Sequence, residues 1–194
     1  MRRNSRRHRL LTASTVLVAA SIMLLPDAAV ARAVMPGAPA QVSGSFQFVN
    51  LRTGKCATVA GGVTTANNQP LVQFNCDQDL SRRWIVANGN GVSDQLVNER
   101  TRKCLTVAGG VSADNNHPLV QFTCDTDPSR RWRLVRVSGA NVFQVVNQRT
   151  GKCLTVAGGV SADNNHPLVQ FTCDTDPSRR WILKRVGGIL DENQ

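Results

Sequence analysis

The stretch CDTDPSRRW at Cys124–Trp132 recurs unchanged at Cys173–Trp181, and a variant, CDQDLSRRW, occupies Cys76–Trp84. Outward from these nine residues the likeness continues. Lys103–Trp132 and Lys152–Trp181 are identical over 30 residues, and cysteines at 56, 104 and 153 precede those at 76, 124 and 173. Each series, the tryptophans at 84, 132 and 181 included, steps by 48 and then 49 residues. The chain therefore holds three copies of one unit. The first has diverged, with Asn67-Asn68-Gln69-Pro70 where the others read Asn-Asn-His-Pro. A short repeat of this kind cannot bury its own apolar face and needs its neighbours to do so.

Within a unit, short windows rich in Val, Thr and Phe alternate with turn residues. In the second unit Gln95–Asn98, Leu105-Thr106-Val107, Leu119–Thr123 and Trp132–Val135 read as strands, with Gly109-Gly110 and Asp114-Asn115-Asn116 as turns between them. No window sustains a helical apolar period, so the fold is expected to be all-β. Three units of about four strands are too few for a propeller of roughly four to eight blades. One closed barrel with three-fold pseudosymmetry fits both the count and the length.

The N-terminus reads as an export signal. Arg2, Arg3, Arg6, Arg7 and Arg9 precede the apolar run Leu10–Leu25, and Ala29-Val30-Ala31 offers a cleavage site. That run falls short of the roughly 20 apolar residues a membrane span needs. Ser5-Arg6-Arg7 approaches a twin-arginine signal, but Arg9 stands where that signal wants an apolar residue, which favours the general route. Expected boundaries are 1–31 for the signal peptide, 32–44 for a Pro/Gly-bearing flexible leader, 45–187 for the domain and 188–194 for a tail. The three units fall at about 45–90, 91–138 and 139–187. Cleavage after Ala31 removes five arginines and Asp27, lowering the net charge from +10 to +6, which favours anionic partners only mildly. All six cysteines lie beyond the signal, an even count in an exported chain, which points to disulfides. The repeat favours one local bridge per unit: Cys56–Cys76, Cys104–Cys124 and Cys153–Cys173.

G-K-C-L-T-V-A-G-G, then P-L-V-Q-F-T-C-D, then a tryptophan eight residues after that cysteine, resembles the ricin B-chain-type β-trefoil lectins from about Ser45 to Val186. The resemblance implies a β-trefoil whose three units each carry a Q-x-W signature with a core tryptophan. It also implies carbohydrate binding through shallow pockets, one per unit, each with an Asp, an aromatic platform and an amide pair. The Asp position is held by Thr58, Thr106 and Thr155, which alternation in C-L-T-V turns outward. A hydroxyl can still bond a sugar but gives up the charge-assisted bond. The amide pair has become Ser-Arg ahead of Arg-Trp: Ser81-Arg82, Ser129-Arg130 and Ser178-Arg179. Phe74, Phe122 and Phe171 stand at the platform position. Alternation in L-V-Q-F-T-C places Val and Phe on one face and Leu, Gln and Thr on the other. Two readings follow: either Phe is the platform, or Val and Phe face the core and Gln73, Gln121 and Gln170 are the outward polar contacts. The V-Q-F pattern favours the second. Asn116 and Asn165 are turn residues and further candidate sugar contacts.

Other chemistries find little support. Cys-Asp-x-Asp supplies two carboxylates against the roughly six to eight oxygens calcium takes, and His117 and His166 are single, so no metal or other cofactor is expected. No catalytic arrangement suggests itself, and the few aromatics are too committed to the core for nucleic-acid binding. One arginine of each pair is expected to bond a carboxylate of its own turn, such as Asp125 or Asp127. The expectation is a secreted, monomeric, non-enzymatic lectin-like module, free of the membrane after signal cleavage, whose partner is a polysaccharide or glycan, neutral or acidic. A protein-binding trefoil such as a protease inhibitor, or a structural trefoil without a ligand, are the alternatives.

Overall fold

The computed structural model describes residues 42–90, 92–138 and 141–186. The expected signal peptide, the leader up to residue 41 and the C-terminal tail lie outside them. Within them are twelve strands: β1 (Gly44–Asn50), β2 (Cys56–Val59), β3 (Gln69–Phe74), β4 (Trp84–Ala87), β5 (Gln95–Asn98), β6 (Cys104–Val107), β7 (His117–Phe122), β8 (Trp132–Ser138), β9 (Val142–Asn147), β10 (Cys153–Val156), β11 (His166–Phe171) and β12 (Trp181–Arg185). A single 3-10 turn precedes each tryptophan strand, and no α-helix occurs among the described residues. β1 takes in Gly44, the last residue assigned to the leader from sequence, and Val42 packs against the core.

All pairings are antiparallel. β1, β4, β5, β8, β9 and β12 form a closed ring, in which the β5–β8 seam is a bridge between Asp94 and Trp132 with backbone bonds in both directions. The hairpins β2–β3, β6–β7 and β10–β11 close one end, because β3, β7 and β11 each pair with the other two. A six-stranded barrel capped by three hairpins is the β-trefoil arrangement. One copy of the unit gives two barrel strands and one hairpin, so three are needed to close the ring.

The tryptophans account for the middle of the barrel. Trp84, Trp132 and Trp181 are at most 1% exposed, and their indole Nε1–H groups donate to the carbonyls of Ala57, Leu105 and Leu154 at 2.9 Å. Each ring thus buries its apolar body while its one donor stays satisfied. Leu71, Leu119 and Leu168 from the hairpins, with Leu96, Leu134 and Val145 from the barrel, complete the core. One disulfide per unit joins Cys56–Cys76, Cys104–Cys124 and Cys153–Cys173.

Adjacent units are latched together by glutamines. Gln121 is fully buried; its amide NH₂ donates to the carbonyls of Thr64 and Ala66 in the first unit, and its Oε1 accepts from the Thr101 hydroxyl. Gln170 holds Ser112 and Asp114 of the second unit in the same way, and Gln73 holds Ser161 and Asp163 of the third. The three latches run in a circle. Sequence alternation had Gln and Phe on opposite faces, which holds, but the faces are exchanged. Gln73, Gln121 and Gln170 point inward with every polar atom used, and Phe74, Phe122 and Phe171 point out and are partly exposed. The reason is the neighbouring hairpin loop, which sets two backbone carbonyls against each glutamine amide. An inward glutamine gives both carbonyls a donor while its own oxygen accepts from a threonine hydroxyl.

Candidate functional site

The outward face of β6 and β7 forms the floor of an open pocket of about 320 Å³ in the second unit. Its walls include Thr106, Gly110, Val111, Phe122, Asp127 and Arg130, and Asn68 from the hairpin loop of the first unit. Alternation in C-L-T-V does turn Thr106 away from Leu105 and Val107, which are core residues. The side chain is nonetheless only 2% exposed, because the 3-10 turn folds over it. Its hydroxyl donates to the Ser129 carbonyl and lies 3.1 Å from the Ser129 hydroxyl. Thr58 and Thr155 make the same bonds to Ser81 and Ser178. Thr106 thus supports the pocket from beneath rather than projecting into it, and Thr58 and Thr155 are held alike in their own units.

Gly109 and Gly110 shape one wall. Both have positive φ, +64° and +78°, and a Cβ on Gly110 would approach the Ser129 hydroxyl oxygen to 3.3 Å. Consecutive left-handed residues need glycine. The turn leaves Val111 at the rim, 74% exposed, with Val63 and Val160 in like positions at 69% and 74%.

Charge on the other wall is fixed by the C-D-x-D segment. The Asp127 carboxylate caps the 3-10 turn, accepting from the Ser129 N–H at 2.8 Å, and pairs with Arg149 of the third unit at 3.0 Å. The Ser129 hydrogen bonds and, less strongly, Arg149 hold its pKa down to about 2. Asp79 with Ser81 and Arg100, and Asp176 with Ser178 and Arg52, are lowered to about 2 for the same reasons. Arg130 pairs with Asp125 at 3.1 Å and Asp127 at 3.7 Å, within its own turn as the sequence suggested. Its guanidinium carbon also lies over the Phe122 ring, 4.5 Å from the centroid. Arg82 over Phe74 and Arg179 over Phe171 repeat this at 4.6 and 4.3 Å.

The remaining sequence candidates serve the scaffold first. Asn116 and Asn165 are exposed at positive φ and donate backbone N–H to the Gln170 and Gln73 carbonyls. Asn68 does so for Gln121 and also borders the pocket, a role the sequence reading passed over although Asn67-Asn68 matches the later Asn-Asn pairs. His117 and His166 each bond a carbonyl, of Ala108 and Ala157, as Gln69 bonds Ala60 in the first unit. Among the described residues no group of three His, Cys, Asp or Glu is placed to hold a metal ion.

Residues 44–181 match the ricin-type beta-trefoil lectin domain. The chain belongs to that family. Among solved structures this lectin-family chain is similar to ThreeFoil, a designed 3-fold symmetric protein, with 22% identity, a TM-score of 0.68, and coverage of 74% of this chain and 99% of that one. It is similar to the Macrolepiota procera ricin B-like lectin in complex with lactose (15% identity, TM-score 0.63, 76% of this chain and 100% of that). It is also similar to 1,3Gal43A, an exo-beta-1,3-galactanase from Clostridium thermocellum (21%, 0.69, 75% of this chain), but spans only 31% of that chain. At these identities the likeness is one of fold. A sequence search of curated proteins finds no match.

Proposed function

We propose that this chain is a secreted carbohydrate-binding module that recognises a polysaccharide through three shallow sites, one per unit, and that it is not itself an enzyme. The observation that supports the reading is the open pocket of about 320 Å³ in the second unit, with an outward Phe122 at its side and fixed donors and acceptors around it. Pockets that take small ligands combine an apolar wall with a few fixed polar groups, and this one does. Membership of a lectin family and the likeness in fold to the Macrolepiota procera lectin in complex with lactose support the same chemistry. The arginine-rich N-terminus, with its apolar run, and the three disulfides support export.

Three sites on one rigid monomer would act on a polymer together, by raising the effective concentration for each further contact. A protease inhibitor generally relies on one distinctive loop. Here the second and third units are identical from Lys103 to Trp132 and from Lys152 to Trp181, which suits a repeated ligand. Incubating the oxidised protein from Arg32 onward with insoluble and soluble polysaccharides tests the proposal. Retention on at least one is expected; a folded protein retained by none would overturn it.

A further inference from the structure

We infer that Arg82, Arg130 and Arg179 are the specificity-determining surface of the three sites, covering the phenylalanine platform and selecting neutral, hydroxyl-bearing sugar over acidic sugar. The inference rests on the carbohydrate-binding reading above and says what the sugar would meet.

An aromatic wall in a sugar site works by offering its face to the C–H groups of the ring. Here that face is taken. Each guanidinium carbon lies 4.3 to 4.6 Å from the centre of its phenylalanine ring, and each arginine side chain is only 13% exposed. Phe122 and Arg130 line the same pocket, so a ligand entering it meets the flat guanidinium lying on the ring. Guanidinium is planar and weakly hydrated, and it can be stacked upon much as an aromatic ring can.

The positive charge does not make the site a trap for anions. Arg130 lies 3.1 Å from Asp125 and 3.7 Å from Asp127, and the equivalent pairs at Arg82 and Arg179 fall between 3.3 and 3.6 Å. Asp127 stays ionised well below neutrality and itself borders the pocket. A uronate or sulfate approaching Arg130 would therefore meet two carboxylates in the same shell. A hydroxyl is different, because it both donates and accepts. Arginine, which only donates, beside aspartate, which only accepts, matches a pair of neighbouring hydroxyls.

The diverged unit keeps this arrangement too. The first unit has Leu80 for Pro128, Gln69 for His117 and Ala66 for Asp114, yet it retains Phe74, Arg82, Asp77 and Asp79 in the same geometry.

The test uses the full oxidised protein and a neutral polysaccharide that retains it. Two triple variants at residues 82, 130 and 179 are compared, Arg→Ala to uncover the rings and Arg→Lys to keep the charge without the planar fork. Native near-ultraviolet circular dichroism establishes that each is folded; should the alanine variant fail to fold, the lysine variant carries the test. At least tenfold weaker binding by a folded variant, and no gain in affinity for a sulfated or carboxylated form of the same polymer at low salt, are the expected results. Equal or tighter binding by the alanine variant would make the bare phenylalanine the platform and overturn the inference. So would a salt-sensitive preference for the acidic polymer. Failure of the unmodified protein to bind any polysaccharide would instead remove the carbohydrate reading and this inference with it.

Discussion

Gln121 and Phe122 are neighbours on β7, yet they belong to different halves of the molecule. Gln121 faces inward, fully buried, and ties the second unit to the loop of the first. Phe122 faces out, partly exposed, under Arg130 at the edge of a pocket. The inner residue holds the units together, and the outer one is free of that duty. The same contrast recurs at Gln73 with Phe74 and at Gln170 with Phe171. It teaches that in a barrel made of repeats, polarity does not tell inside from outside. What decides is whether a neighbouring loop brings backbone carbonyls that need a donor.

The largest effect should come from breaking the inner half. Gln121→Ala leaves the Thr64 and Ala66 carbonyls and the buried Thr101 hydroxyl without their partner, at a cost of roughly 3 kcal/mol, the low end for three orphans at about 1–3 kcal/mol each because water can reach the Thr64–Ala66 loop. Chemical denaturation of the variant measures it. A loss of similar size, about 3 kcal/mol, is expected for Cys104→Ala/Cys124→Ala, whose bridge spans 20 residues. If Gln121→Ala were the milder of the two by a wide margin, the latch would matter less than its burial suggests.

On the outer half the effects on stability are smaller. Asp127→Ala removes a cap and should cost about 1 kcal/mol. The same carboxylate gives a pH signature. Its folded pKa is about 2, below its ordinary value of 3.8, so the stability it contributes is complete above pH 3.8 and is lost as the pH falls toward 2. Asp79 and Asp176 add in the same window. Thermal melts from pH 5 down to 2 should therefore show a steep fall below pH 4, and Asp127→Ala should flatten part of it. Least of all should Phe122→Ala disturb the fold, because the ring is partly exposed and outside the central core.

Much of this was legible in the sequence, for physical reasons that differ from residue to residue. The 48- and 49-residue spacing of Cys and Trp required three units, and alternation in C-L-T-V gave the core positions Leu105 and Val107 correctly. The disulfide pairing followed from the repeat. What the sequence did not disclose depends on contacts between units. Alternation says which residues share a face of a strand but not which face is inner, and the carbonyls that pull Gln121 inward come from residues more than fifty positions away. Thr106 was expected to reach the ligand, and nothing local reveals that the Ser129 turn covers it. Arg130 over Phe122 joins residues eight apart, and the thrice-repeated S-R-R-W was the signal that could have led there.

The division of labour between neighbouring residues can be measured directly by following the unfolding midpoint and polysaccharide retention side by side for Gln121→Ala and Phe122→Ala. The account predicts that Gln121→Ala melts well below the parent protein but still binds while folded. Phe122→Ala should melt close to the parent and bind more weakly, since Arg130 loses the ring it rests on. A Gln121 variant of parental stability that no longer binds would place the glutamine in the ligand's path and contradict the account.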